Sequence, residues 1–165
     1  MSLPDLAAVL WRQREQIERL CYRLECEQLL LASGRMSRLG FATTEVETTV
    51  SELQVLELQR AEAADRACAE LGLPLGSGLT DLAAAAEPPW TVVFLDHRSA
   101  LIALTAELRV LADSNRQLVS GGLAAVELAM ASLGSLTEPV SVGYDARGQR
   151  DVLTGRRPVR VDRVL

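Results

Sequence analysis

The chain has no lysine: all seventeen of its basic residues are arginine. That absence reads as a base bias in the coding sequence and carries no functional inference. Histidine is almost absent too, with His97 standing alone. One histidine excludes a di-iron bundle site, which takes two Glu-x-x-His motifs on inward helix faces. The three cysteines, Cys21, Cys26 and Cys68, form no C-x-x-C pair. They are too scattered for a structural zinc site, which needs about four Cys or His ligands. Their odd count points to a reducing compartment and small buried thiols. No G-x-x-x-x-G-K-[ST] phosphate loop occurs, and Gly121-Gly122 falls inside a helical pattern. These absences predict no cofactor, no metal and no enzymatic activity. There is no uncharged run of about 18 residues, and the N-terminus has no basic region followed by an apolar one. The expectation is a soluble, cytoplasmic chain with no membrane insertion. A net charge of −5 gives no reason to expect a nucleic-acid partner.

What is present is helix-forming. Ala, Leu, Glu, Arg and Gln dominate, and aromatic content is only 4%. A helix over residues 2–33 follows from Ser2 and Asp5, spaced as a capping box, and from Leu3, Leu10, Ile17, Leu24 and Leu31 at steps of seven. Leu6 and Leu20 fill interleaved positions, while Gln13 and Glu27 interrupt them. Ser33-Gly34 supplies the left-handed cap. A second helix starts between Arg35 and Thr44 and runs to about Leu71. Its expected buried face is Leu39, Val46, Val50, Leu53, Ala64, Ala67 and Leu71, with Glu57 and Arg60 paired along it. The segment GLPLGSG (72–78) is a loop, after which Thr80 caps a short helix to about Ala86. Pro88-Pro89 precedes a long helix from Trp90 to Leu133. Its stripe at alternating steps of four and three (Trp90, Phe94, Leu101, Leu104, Leu108, Leu111, Leu118) is a seam of period 3.5.

Two residues on that seam are polar. His97, flanked by Asp96 and Arg98, resembles the phosphoacceptor box of two-component kinases, but the proline expected one turn later is missing and no ATP-binding domain follows. A buried core histidine is the better reading. Asn115 either fixes register or marks where the helix leaves its own bundle. From Gly121-Gly122 onward, Leu123, Val126, Met130 and Leu133 shift the stripe by one position. Two glycines cost about 2 kcal/mol of helix propensity relative to two alanines. This end of the helix is a candidate groove wall for a partner helix, or else it caps the bundle's own core. Residues 135–165 carry Pro139, Gly143, Gly148, Gly155 and Pro158 and are expected to be mostly irregular, with a strand-like piece at 158–165.

The segments LLLASGR (29–35), EVETTVSEL (45–53), Glu57 to Ala61, GLPLGSGLTDLAAAAEPPW (72–90), DHRSAL (96–101), SNRQLV (114–119) and GYDARG (143–148) stand in the order and spacing of the FlgN family. The chain therefore resembles flagellar type III export chaperones over nearly its whole length, the last fifteen or so residues excepted. The resemblance implies an all-α, elongated fold without enzymatic activity. It also implies binding of hook–filament junction proteins (the flagellar hook-associated proteins) before export. By position, it places the cargo surface on the latter part of the long helix: Asn115, Leu118, Val119, Leu123, Val126, Met130 and Leu133. Tyr144 resembles the tail tyrosine through which such chaperones contact the export gate, although Asp145 stands where the family often has Gly.

The expected architecture is all-α, an elongated antiparallel bundle of three long helices plus one short helix, with an irregular C-terminal tail. The bundle is expected over residues 1–136, with eighteen acids against eleven Arg. A flexible, mildly basic tail is expected over 137–165, with four acids against six Arg. The competing function is a helical coiled-coil dimerisation or signalling element without cargo.

Overall fold

The computed structural model describes residues 2–136, 142–144 and 150–152. Four helices come first: α1 (Ser2–Ala32), α2 (Met36–Leu71), α3 (Leu79–Ala85) and α4 (Trp90–Leu136). Two short strands follow, β1 (Val142–Tyr144) and β2 (Arg150–Val152). The chain divides into two compact units, Met1–Gly122 and Leu123–Leu165.

In the first unit, side-chain pairing sets the direction of each helix. From α1 to α2 the bonds run Ser2 to Glu70, Gln13 to Glu57, Gln16 to Glu52 and Arg23 to Glu45. One number rises as the other falls, so these helices are antiparallel. From α1 to α4, Trp11 meets His97 and Gln28 meets Ser114. Both numbers rise together, so α4 runs parallel to α1 in an up-down-up arrangement. The all-α expectation holds.

The apolar core lies where the start of α1, the end of α2, α3 and the start of α4 meet. Leu3, Leu6 and Leu10 pack there with Ala63, Ala67, Cys68, Leu82, Ala83 and Phe94. Each fully buried Leu or Phe contributes about 1.5–3 kcal/mol relative to an exposed one. Small residues on α2 leave room for the leucines of α1. Along the rest of α1 the core alternates with polar layers. Gln13, which interrupts the heptads, donates through Nε2 to Glu57 at 2.7 Å. Glu57 also accepts from Arg60, whose guanidinium holds that carboxyl below its ordinary value.

Helix ends follow local chemistry. Gly34 takes φ +67°, its N–H donates to the Leu31 carbonyl, and the Arg35 N–H reaches the Leu30 carbonyl. That is the Schellman pattern the Ser33-Gly34 sequence predicts. The same geometry recurs at Gly72, with φ +69°.

α2 starts at Met36, within the expected range from Arg35 to Thr44. Several local expectations are corrected. The buried seam of α2 contains Thr49, while Val50 is exposed. Thr49 wins because its hydroxyl donates to the Glu45 carbonyl one turn back, at 2.8 Å, which satisfies the polar atom within its own helix. The short helix begins at Leu79, ahead of Thr80. Its cap is Gly78, whose N–H donates to the Asp81 carboxylate at 3.2 Å. At the N-terminus, the Ser2 N–H and hydroxyl both donate to Glu70, so Ser2 ties α1 to α2.

In the second unit, residues 123–136 continue α4 as regular helix. β1 and β2 pair antiparallel, with Val142 opposite Val152 and Tyr144 opposite Arg150. This hairpin falls in the segment expected to be mostly irregular. The proposed strand-like piece at 158–165 lies outside the described residues.

Candidate protein-binding surface

The long helix α4 changes character at Asn115. Before it, the seam predicted from the sequence faces the bundle. Phe94 and His97 are buried, and Leu101, Leu104, Leu108 and Leu111 are half-buried. After it, every side chain from Arg116 to Ser132 is exposed.

Asn115 itself belongs to the bundle. Its side chain is buried, and Nδ2 donates to the Leu24 carbonyl at 2.9 Å and to the Glu27 carboxylate at 3.1 Å. Glu27 also accepts from the Thr43 hydroxyl at 2.8 Å, so this single layer joins α1, α2 and α4. The Oδ1 atom is buried without a partner. A polar residue so placed costs stability but fixes register. Of the two readings of Asn115, register is the one its contacts support. Its amide is engaged inside the bundle, so Asn115 is buried, whereas the other candidates with described side chains are exposed.

The remaining candidates lie where a partner reaches them. In the first unit, Leu118 is 38% exposed and Val119 46%. In the second, Leu123, Val126 and Met130 are 61%, 56% and 68% exposed. Their spacing of three and four puts these last three on one face of the helix. Leu128 is equally exposed but lies on the opposite face, and the sequence reading passed over it. The side chains of Leu133 and Tyr144 lie outside the described residues; the backbone places Tyr144 on β1, opposite Arg150. Gly121 and Gly122 are not sites of close approach, since a Cβ added at either meets nothing within 4 Å.

His97 is enclosed. Its ring stands edge-on to Trp11, with centroids 4.9 Å apart. The Arg14 guanidinium lies 4.5 Å from the Trp11 ring centroid, 2.8 Å from the Asp96 carboxylate and 3.4 Å from His97 Nδ1. Burial, and then the positive charge of Arg14, hold His97 below its ordinary value of 6.5. A neutral ring, 1% exposed, packs as a core residue and offers no accessible nitrogen for phosphoryl transfer. Cys21 is buried as well, and burial together with Glu107 and Glu25 pushes its thiol up, away from the reactive thiolate.

Among the described residues, no group of three or more His, Cys, Asp or Glu side chains is placed to hold a metal ion. No described helix is long and apolar enough to cross a membrane. The arrangement, an exposed apolar stripe on a helix that starts as bundle core, suits protein recognition. No curated protein and no solved structure matches the chain. The family described as FlgN protein matches residues 1–151, which ends close to where the motif resemblance ends. The chain therefore belongs to the FlgN family, a family of flagellar export chaperones.

Proposed function

We propose that this chain is a cytoplasmic export chaperone that binds the terminal amphipathic helices of hook–filament junction proteins. It prevents their premature association and delivers them to the type III export apparatus. The observation that carries the reading is the unbroken exposure of α4 from Arg116 to Ser132, with an apolar stripe still running through Leu123, Val126 and Met130. Exposed apolar side chains at helical spacing are what a partner's apolar face covers. The cargo-contact residues are Leu118 and Val119 in the first unit and Leu123, Val126, Met130 and Leu133 in the second. Asn115 acts from inside the bundle by holding α4 in register. Tyr144 is the proposed contact with the export gate.

The test uses the junction-protein termini as probes. Leu123→Asp and Val126→Asp are expected to weaken cargo binding at least tenfold, with helicity and thermal unfolding unchanged. Unfolding on either change makes these residues core and ends the assignment. A chain that is a stable dimer without cargo, and that Val126→Asp turns monomeric, belongs to the coiled-coil alternative. Deleting residues 140–165 is expected to leave cargo affinity intact and to reduce export. Loss of affinity on that deletion makes the tail part of the cargo clamp.

A further inference from the structure

A second feature of the first unit lies away from the distal stripe of α4. A cleft of about 600 Å³ runs between α4 and residues 78–80. Its floor is apolar, built from Leu101, Ile102 and Ala106. Ile102 faces outward from the bundle seam and is 55% exposed. Leu95, one heptad earlier on the same face, is 45% exposed. Leu95 and Ile102 are therefore not core residues, whereas Leu101 at the cleft's inner edge also packs against the core.

The ends of the cleft are charged alike. Arg98 and Arg109 line it, and no carboxylate does. The nearby acids are committed elsewhere. Asp96 is held by Arg14 at 2.8 Å, Asp113 by Arg116 at 2.9 Å, and Asp81 accepts from the Gly78 N–H. Among the described residues, neither Arg98 nor Arg109 has an ion-pair partner, although the chain as a whole is acidic. They stand eleven positions apart on the helix, about 16 Å or three turns.

From this pairing of an apolar floor with two uncommitted guanidiniums, we propose that the cleft docks an amphipathic protein helix. The partner helix carries acidic side chains about three turns apart, flanking an apolar stripe. Laid along α4, such a helix covers Leu101, Ile102 and Ala106 and meets each arginine with a carboxylate. A second copy of this chain fits poorly, because joining two such faces brings four guanidiniums together. The surface is separate from the distal α4 stripe, so it stands or falls independently of the cargo assignment.

The test uses the full chain and a designed 18-residue helical peptide. The peptide has Leu along one stripe and Glu at two positions eleven apart; a control peptide has Lys at those positions. Fluorescence anisotropy is expected to show saturable binding of the Glu peptide that weakens with added salt, and at least tenfold weaker binding of the Lys peptide. The double variant Arg98→Glu/Arg109→Glu is expected to reverse that preference. Ile102→Asp is expected to abolish binding of the Glu peptide, while Val126→Asp leaves it unchanged. If Ile102→Asp unfolds the chain, the double arginine variant, confined to exposed positions, decides alone. Equal binding of both peptides overturns the proposal, and so does loss of binding on Val126→Asp. A concentration-dependent dimer abolished by Ile102→Asp overturns it in favour of self-association.

Discussion

The two stretches of α4 on either side of Asn115 are built from the same residue types and fare differently. From Trp90 to Leu111 the apolar stripe meets α1 and the bundle core. From Arg116 to Ser132 every side chain is exposed, although apolar residues recur there at similar spacing. Hydrophobic periodicity therefore reports that a helix face is to be covered, but not by what. In one stretch the covering elements are α1, α2 and α3. In the other, the proposed cover is the cargo.

The largest test of this contrast is truncation of a matched pair. Phe94→Ala is expected to cost about 3–5 kcal/mol in chemical denaturation, because the side chain is fully buried and leaves a cavity. Met130→Ala is expected to stay within about 0.5 kcal/mol. A comparable loss at Met130 places the distal stripe in a core and ends the comparison.

The boundary residue comes next. Asn115→Ala removes two donated hydrogen bonds and leaves the Glu27 carboxylate with one partner fewer, so a loss of about 1–3 kcal/mol is expected. Cargo affinity measured on the folded fraction is expected to change little. A large drop in affinity with stability retained returns Asn115 to the cargo surface.

Replacing Gly121 and Gly122 by Ala is expected to stabilise α4 by about 1 kcal/mol at each position, since neither glycine is needed for a close contact. Thermal melts followed by far-UV circular dichroism check this. A destabilised helix shows that the glycines serve a contact.

The smallest effect concerns pH. His97 is held neutral in the folded chain, while the unfolded chain takes up a proton at about 6.5. Stability from this group is therefore complete above pH 6.5 and falls as pH drops below it. Wild type is expected to lose more in Tm than His97→Gln as pH falls below 6.5, measured by thermal melts across that range. Glu57, held low by its bond from Arg60, adds a separate loss only as pH falls below 4.5, its ordinary value. Equal pH dependence of the two proteins places the proton uptake at another group.

Much of this was legible in the chain itself. Heptad spacing located α1 and the proximal half of α4, and glycine chemistry located the ends of α1 and α2. The Glu57–Arg60 pair and the burial of His97 also follow from position on a helix. The misreadings share one cause. Val50 belongs to the expected buried face, yet Thr49 turns in beside it because its hydroxyl is satisfied within its own helix. Gln13 and Glu27 look like breaks in a heptad and are in fact polar layers that join helices. Ser2 looks like a cap and is instead a tie to Glu70. In each case a residue distant in sequence supplies the partner, or a local bond removes the need for one, and periodicity records neither.

By itself, then, the sequence determined the helical class, the family and the apolar stripe that carries the proposed function. These rest on residue type and spacing, which act over a few turns of one helix. Only the tertiary structure decided that Asn115 faces inward, that α4 runs parallel to α1, and that Arg98 and Arg109 stand uncommitted at the two ends of an apolar cleft. Those outcomes depend on which side chains are within reach across helices, a distance that spacing along a single helix does not encode.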